Sequence, residues 1–165
     1  MKKIVNDVNN VEEEMIQGLV KSAPKKLRKL DYGTIVVRAD KKEDKVALVS
    51  GGGSGHEPAH AGYVGTGMLD CAVAGTVFTS PTPDQVLEGI KAVATDKGVL
   101  CVVKNYTGDV MNFEMAIEMA ADEDIKADYV VVNDDVAVRD SLYTTGRRGV
   151  AGTILSYIIS FGMNN

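Results

Sequence analysis

The 165-residue sequence contains no tryptophan, only two histidines and only two cysteines. Its net charge is -5, and lysine and arginine are concentrated only in the short run Lys-Lys-Leu-Arg-Lys at 25–29. Surfaces that bind nucleic acid or an anionic membrane need clustered positive charge, so both classes of partner are disfavoured. No stretch approaches 18 consecutive apolar residues, and the first residues do not resemble a secretory signal. These absences predict a cytoplasmic protein.

The composition fits one globular domain. Hydrophobic residues make up 45% of the chain and charged residues 25%, which is enough apolar material for a single packed core. Cys71 and Cys101 both lie among apolar neighbours. Such positions favour buried, reduced thiols over a disulfide or a redox pair.

Predicted strands and helices alternate along the chain. Short apolar runs predict buried strands at 34–37, 46–49, 99–103 and 129–132. Helical spacing and a capping box predict helices at 11–22, from 82–85 onward, at 113–121 and at 150–161. The alternation predicts an α/β domain with a largely parallel central sheet and helices on both faces.

A glycine run follows the second predicted strand, with the sequence Ser-Gly-Gly-Gly-Ser-Gly-His-Glu-Pro at 50–58. A backbone with so few side chains leaves N–H groups open to a ligand, and His56 lies at the edge of this opening. Ligands of parallel sheets bind beyond the carboxyl ends of the strands. A second loop, 104–109, should leave the sheet at the same edge, so the two loops can share one site.

Two phosphate-binding motifs can be compared with the glycine run. A P-loop requires Lys and then Ser or Thr after its last glycine, but His56 and Glu57 occupy those positions. A dinucleotide fingerprint could begin at Gly51 and Gly53, but its third position is His56, whose ring would block close helix packing. Neither motif is favoured.

Residues 56–60 also match the zinc-hydrolase pattern H-E-x-x-H. Pro58 does not suit the interior of the continuous helix that this motif needs, and the chain has no third histidine, although a distant carboxylate could serve. No metal site is therefore predicted. Pro58 is instead predicted to be the first or second residue of a helix that begins just after the loop. His60 is interpreted as a hydrogen-bonded packing residue.

The second loop carries a cation and a carboxylate. Its sequence is Lys-Asn-Tyr-Thr-Gly-Asp at 104–109. Lys104 ends a predicted strand, and Asp109 can accept a proton from a bound hydroxyl. Because Thr-Gly-Asp is also ordinary turn chemistry, this loop alone favours a simple turn.

Five segments in combination resemble the dihydroxyacetone kinase family, at its substrate-binding subunit. They are the glycine run at 50–58, Phe-Thr-Ser-Pro-Thr-Pro-Asp at 78–84, the loop at 104–109, Asp-Asp-Val-Ala-Val at 134–138 and Gly-Arg-Arg-Gly-Val-Ala at 146–151. The resemblance implies phosphorylation of a hydroxyl group of dihydroxyacetone. Related short ketoses or aldehydes stay open as further substrates.

The resemblance also implies roles for individual residues. The family's substrate-binding positions fall on Gly53, Ser54, Gly55, His56, Lys104 and Asp109. Asp109 and His56 are implied to be catalytic, with Asp109 accepting the hydroxyl proton while His56 positions or assists. His56 stays open as the base, because an imidazole is better matched to neutral pH.

Family members of this type carry a second domain whose histidine forms a covalent hemiaminal with the ketone carbon, whereas this sequence has only His56 and His60. Residues 1–165 are therefore expected to be a single α/β domain, the substrate-binding N-terminal part of a longer kinase subunit, with little or no activity alone. A naturally short paralogue is the alternative.

The phosphoryl donor is expected to lie outside this chain. The resemblance implies that no cofactor binds here and that ATP or ADP with Mg is held by a partner subunit or domain. The implied partners are a nucleotide-binding kinase subunit and a phosphoryl carrier subunit of the phosphoenolpyruvate-dependent phosphotransferase system, and the full-length subunit is expected to be a homodimer. The rival hypothesis is a regulatory paralogue that binds dihydroxyacetone without phosphorylating it. Asp109 favours the kinase, since a sensor needs no proton acceptor.

Overall fold

The computed structural model describes residues 4–41, 43–138 and 146–162. Within these ranges the strands are β1 (Leu27–Lys29), β2 (Ile35–Arg38), β3 (Ala47–Ser54), β4 (Cys71–Val77), β5 (Val99–Lys104) and β6 (Ala127–Val132). They form one six-stranded sheet in the order β1-β2-β4-β3-β5-β6. Strands β3 to β6 pair in parallel, and β2 is antiparallel to β1 and β4. The predicted α/β fold with a largely parallel sheet is confirmed.

The same ranges contain the α-helices α1 (Val11–Ser22), α2 (Pro83–Val93), α3 (Thr107–Asp122) and α4 (Gly152–Gly162). Helix α2 begins at the predicted capping box. The Thr82 hydroxyl accepts a hydrogen bond from the Gln85 N–H, and the Gln85 side chain accepts one from the Thr82 N–H at 3.0 Å. This reciprocal pair satisfies two backbone donors that the first turn of a helix leaves free.

Strands β1 and β4 are not predicted from the sequence. The sequence of β4, Cys-Ala-Val-Ala-Gly-Thr-Val, contains small residues with weak strand preference. Its position between β2 and β3 makes it a strand, because pairing on both sides satisfies its backbone groups. Strand β1 has three residues and pairs only with β2.

Strand β3 continues to Ser54, so the prediction that the strand ends before the glycine run is wrong. Residues 51–53 pair in register with residues 73–75 of β4. A Cβ atom placed on Gly51 would lie 2.5 Å from the carbonyl oxygen of Val73, and one on Gly53 would lie 2.5 Å from the N atom of Thr79. Close approach of neighbouring backbone explains these two glycines.

Buried side chains form two clusters. Val37 and Val49 belong to a cluster that contains residues of α2 and α3, whereas Val36 and Leu48 belong to a cluster that contains Ile16 of α1 and Tyr157 of α4. Successive residues of one strand thus enter different clusters, as the two-residue period of a β-strand requires.

Both cysteines are free, and both are buried, which confirms the predicted burial of the two thiols. Among the described residues, no helix combines the length and the apolar character needed to cross a membrane. Residues 1–3, 42, 139–145 and 163–165 of the predicted domain lie outside the described ranges.

Candidate functional site

The sheet opens between β3 and β5 near their carboxyl ends. Pairing between these strands ends at Ser50 and Val102, whereas β3 continues against β4 to Ser54. Strand β3 has β4 on one side and β5 on the other, so the strand order reverses here. Such a reversal leaves a crevice in which ligands of parallel sheets bind.

Segments that follow β3 and β5 line one cavity of about 340 Å³ at this edge. His56 and His60 come from the segment after β3, and Lys104 is the last residue of β5. Residues 149–151, just before α4, also line the cavity. The structure therefore brings the predicted residues His56 and Lys104 together.

Asp109 lies in the first turn of α3, whereas the sequence predicts a loop at this position. Its carboxylate is buried beside β3, with Oδ2 3.6 Å from the position of a Cβ atom on Gly52. The helix can begin this early because Gly108 fits against Ser80, whose Oγ would lie 2.8 Å from a Cβ atom on Gly108. The positive end of the helix dipole then favours a carboxylate at this turn.

Asp109, Lys104 and His56 share one electrostatic environment. Burial raises the pKa of Asp109, against the lowering effects of a hydrogen bond with Ser80 and of the charges of Lys104 and His56. Burial lowers the pKa of Lys104, against the attraction of Asp109. A carboxylate with a raised pKa is a better proton acceptor than an ordinary aspartate.

His56 is exposed and packs against Phe78 in an edge-to-face arrangement, with ring centroids 5.5 Å apart. The Phe78 ring in turn lies over Gly55, where an added Cβ atom would approach Phe78 Cε1 to 2.8 Å and where φ is +107°. Gly53 makes room for the Phe78 backbone, since its Cβ would lie 2.8 Å from the Phe78 carbonyl carbon. The two glycines therefore support the wall against which His56 rests.

The Ser54 hydroxyl and the Gly55 N–H both have hydrogen-bond partners within the protein. The Ser54 hydroxyl donates to the carbonyl oxygen of Gly75 at 2.7 Å. The Gly55 N–H donates to both carboxylate oxygens of Glu57 at 3.1 Å. The expectation of an open N–H at Gly55 is wrong, because the Glu57 side chain folds back onto it.

His60 is buried, and its two ring nitrogens have different surroundings. Nδ1 lies 3.1 Å from Ser50 Oγ and also contacts the Tyr157 hydroxyl. Nε2 has no hydrogen-bond partner among the described residues and would lie 2.9 Å from a Cβ atom on Gly52. Burial, followed by the charges of Lys104 and His56, lowers the pKa of His60 to about 3. The bonds at Nδ1 agree with the predicted packing role, which does not account for the unpartnered Nε2.

The zinc-hydrolase pattern at 56–60 does not lie on a helix. A helix-like hydrogen bond from the Gly62 N–H to the Pro58 carbonyl is followed only by the 3-10 turn Ala61–Tyr63. The predicted α-helix after Pro58 is therefore wrong. In the part of the chain that the structure describes, no three His, Cys, Asp or Glu side chains are grouped to hold a metal ion.

Asp134 holds the segment that closes the cavity next to α4. Its carboxylate accepts hydrogen bonds from the N–H groups of Val150 and Gly152, both at 2.7 Å. Nearby, a Cβ atom on Gly149 would lie 2.9 Å from the Cα atom of Lys104. Two segments noted in the sequence, 134–138 and 146–151, thus cooperate in shaping one wall of the site.

The Dak1 domain family matches residues 17–162 of the sequence. The chain belongs to the Dak1 domain family. This Dak1 chain is 61% identical over 159 residues to PTS-dependent dihydroxyacetone kinase 1, dihydroxyacetone-binding subunit DhaK, of Listeria innocua. The aligned region covers 96% of the Dak1 chain and 48% of the Listeria subunit. The resemblance to dihydroxyacetone kinases is confirmed.

Solved structures agree with this assignment. The dihydroxyacetone kinase of C. freundii matches the Dak1 chain with a TM-score of 0.90 and 41% identity, over 97% of this chain and 30% of that one. The dihydroxyacetone kinase operon co-activator Dha-DhaQ matches with a TM-score of 0.83 and 40% identity, over 91% of this chain and 47% of that one. The Dak1 chain therefore spans half or less of the length of these relatives.

Proposed function

We propose that this chain binds dihydroxyacetone and presents one of its hydroxyl groups for phosphorylation to dihydroxyacetone phosphate. The observation that carries the proposal is that His56 and Lys104 line one cavity at the carboxyl ends of β3 and β5 and that both interact electrostatically with the buried Asp109. The ligand is supported by the Listeria relative, which is named as a dihydroxyacetone-binding subunit.

Polar groups must supply the specificity, because dihydroxyacetone has three carbons and little apolar surface. Lys104 would hold a ligand oxygen from the end of β5, and the backbone at Gly53 would contact the ligand from β3. Ser54 and Gly55 would contribute through the shape of the turn, since their own hydrogen-bonding groups are engaged with Gly75 and Glu57. These residues, with His56 and Asp109, form the proposed substrate-binding set.

Asp109 would act as the base in phosphoryl transfer. The Asp109 carboxylate would accept the proton of the ligand hydroxyl as its oxygen bonds to the terminal phosphorus of the nucleotide, and the bond from that phosphorus to the leaving ADP would break. The raised pKa of Asp109 supports this role. His56 lies at the exposed edge of the site, where it would position the reacting groups or assist the proton transfer.

The nucleotide and its Mg would come from a partner subunit or domain. The described residues hold no grouped set of metal ligands, and the Listeria relative is named PTS-dependent. We therefore infer a nucleotide-binding kinase subunit and a phosphoryl carrier subunit as partners, with ATP as direct donor in the alternative. The full-length subunit is expected to be a cytoplasmic homodimer, and the present chain to have little activity alone.

We also infer that helices cover both faces of the sheet. The two side-chain clusters support this arrangement, since one includes α2 and α3 and the other includes α1 and α4. If helices cover both faces of the sheet, a phosphate-bearing partner would reach the ligand from the edge at which β3 and β5 have their carboxyl ends.

A regulatory protein is the second candidate function. The structural match to the dihydroxyacetone kinase operon co-activator, at a TM-score of 0.83, favours it. The buried Asp109 favours the kinase instead, because binding alone does not require a proton acceptor with a raised pKa.

One reconstitution separates the two candidates. The full-length subunit would be mixed with its nucleotide-binding partner, the phosphoryl carrier system, phosphoenolpyruvate and dihydroxyacetone, with the Listeria subunit as a positive control. Dihydroxyacetone phosphate, measured with a coupled reductase, is the expected product. Binding of dihydroxyacetone without product would support the regulator, and absence of binding would overturn both candidates.

A further inference from the structure

Ser50, His60 and Tyr157 form a hydrogen-bonded chain beneath the crevice. The Ser50 hydroxyl donates to the carbonyl oxygen of Val102 at 2.6 Å and lies 2.9 Å from the Tyr157 oxygen. The Tyr157 oxygen in turn contacts Nδ1 of His60. All three side chains are buried.

One arrangement of hydrogens gives every contact in this chain a donor. Because Ser50 uses its only proton at Val102, Tyr157 must donate to Ser50 Oγ for their contact to be a hydrogen bond. Nδ1 of His60 then carries the proton that is donated to the Tyr157 oxygen. In a neutral imidazole this leaves Nε2 as an unprotonated acceptor.

Nε2 of His60 faces the same point as the carboxylate of Asp109. Both atoms, Nε2 and Asp109 Oδ2, lie within 3.6 Å of the Cβ position of Gly52, and the absence of that Cβ lets both side chains approach the strand closely. Nε2 and Asp109 Oδ1 have no partner among the described residues, although both side chains are only 5% exposed. A buried acceptor without a hydrogen-bond donor raises the free energy of the folded chain, and a ligand that supplies donors to both atoms would remove this penalty.

We propose that His60 is a further substrate-binding residue. Its Nε2 accepts a hydrogen bond from one hydroxyl of the ligand, while the other hydroxyl donates to the neighbouring Asp109 carboxylate. This inference rests on the proposed function and adds a specificity to it. The two neighbouring acceptors select a ketone with two hydroxyl donors, such as dihydroxyacetone. Hydroxyacetone, in which a methyl group replaces one hydroxymethyl group, lacks the second donor.

The tautomer of His60 can be measured before any ligand is added. Nitrogen-15 spectra of the histidine-labelled chain should show a neutral ring protonated at Nδ1, and the Nε2 resonance should move when dihydroxyacetone is added. A ring protonated at Nε2 in the free chain would overturn the inference, as would an unchanged Nε2 resonance of His60 while the His56 signals shift. Absence of any shift would overturn the proposed function, and this inference with it.

Two substitutions of His60 provide the matched test. His60→Asn keeps an amide donor where Nδ1 lies but removes the acceptor that faces Gly52, whereas His60→Gln can place an amide oxygen near Nε2. His60→Asn should weaken dihydroxyacetone binding by about tenfold, the worth of one hydrogen bond, and leave hydroxyacetone binding unchanged. His60→Gln should retain most of the preference for dihydroxyacetone. An equal loss for both ligands in His60→Asn would indicate a structural role and contradict the proposal.

Adding a methyl group by Gly52→Ala gives a separate check. The added methyl group would lie 2.9 Å from Nε2 of His60, so dihydroxyacetone binding should be lost. Gly65→Ala is the control, because a Cβ atom there meets no atom within 4 Å. Unaltered binding by a folded Gly52→Ala variant would overturn the placement of the ligand.

Discussion

At the residue scale, burial has opposite effects on the pKa values of the two acceptors at the site. It raises the pKa of the Asp109 carboxyl and lowers that of the His60 imidazole to about 3. Both changes have one cause, since a low-dielectric environment disfavours the charged form of each group. The site therefore combines a carboxylate that is ready to accept a proton with an imidazole that stays neutral.

Asp109→Asn tests the proposed base. The substitution keeps the size of the side chain but removes its ability to take a proton, so kcat in the reconstituted kinase should fall by about a hundredfold or more. Asp122→Asn, at the exposed far end of α3, is the control and should leave kcat unchanged. A rise in KM with an unaltered kcat would instead assign Asp109 to binding alone.

His60 should make the stability of the fold depend on pH. Its pKa is about 3 in the folded chain, compared with an ordinary value of 6.5. Between these values the unfolded chain binds more protons, so the free energy of unfolding should fall as the pH decreases through this window. Asp109 has the opposite effect on the free energy of unfolding. Its raised pKa lets the folded chain keep the Asp109 proton at pH values above 3.8, the ordinary pKa, so its contribution to stability rises as the pH decreases.

Urea unfolding of the wild type and of His60→Gln across that window isolates the contribution of His60. Asp109 is present in both proteins, so the difference in unfolding free energy reports mainly the histidine. The slope of stability against pH should be smaller in the variant. Equal slopes would show that His60 is charged or exposed in the folded chain.

At the scale of elements, a buried ion cluster joins the ends of three strands. Asp70, just before β4, pairs with Arg38 of β2 at 3.3 Å and also with Lys45, close to the start of β3. Its carboxylate accepts a further hydrogen bond from the Leu48 N–H at 2.8 Å. All three ionic side chains are buried, so Lys45 depends on Asp70 for solvation, whereas Arg38 also pairs with Asp40 at 2.9 Å.

Asp70→Asn should therefore destabilise the fold strongly. It would leave Lys45 buried without a carboxylate and Arg38 with Asp40 alone, and breaking a buried pair in this way costs about 3–5 kcal/mol of unfolding free energy. Asp96→Asn is the matched control, because it removes an ion pair with Lys97 at 2.9 Å that is exposed to solvent; it should have no measurable effect. Urea denaturation measures both, and similar losses for the two variants would contradict the importance of burial.

At the scale of the whole molecule, the polar site lies at one edge of a sheet whose interior is apolar. Cys71 and Cys101 lie in that interior and belong to one side-chain cluster. Burial raises the pKa of both thiols, that of Cys101 to about 12. Thiolate, the reactive form, is therefore scarce in the folded chain.

The thiols accordingly report on the integrity of the whole fold. Ellman's reagent should label neither cysteine in the folded chain and both in concentrated urea. Rapid labelling under native conditions would show that the sheet opens readily or that its packing differs from the one described.

Local patterns in the sequence were sufficient for much of the fold. The alternation of apolar runs predicted four of the strands and the α/β class, and the spacing of Thr82 and Gln85 predicted the start of α2. These features depend on residues within a few positions of one another, so propensity and periodicity can reveal them. The resemblance at 50–58 and 104–109 pointed to His56, Lys104 and Asp109 as candidates.

The tertiary structure alone decided how these residues are used. Pairing with β4 makes the glycine run a strand, and the fit of Gly108 against Ser80 places Asp109 on a helix. His60 acquires its orientation from Tyr157, which lies 97 positions away in the sequence. Contacts over such distances arise only when the sheet and its helices pack, and burial then sets the charge state of each group. The chemistry of the site therefore depends on the packed fold, although its residue types are visible in the sequence.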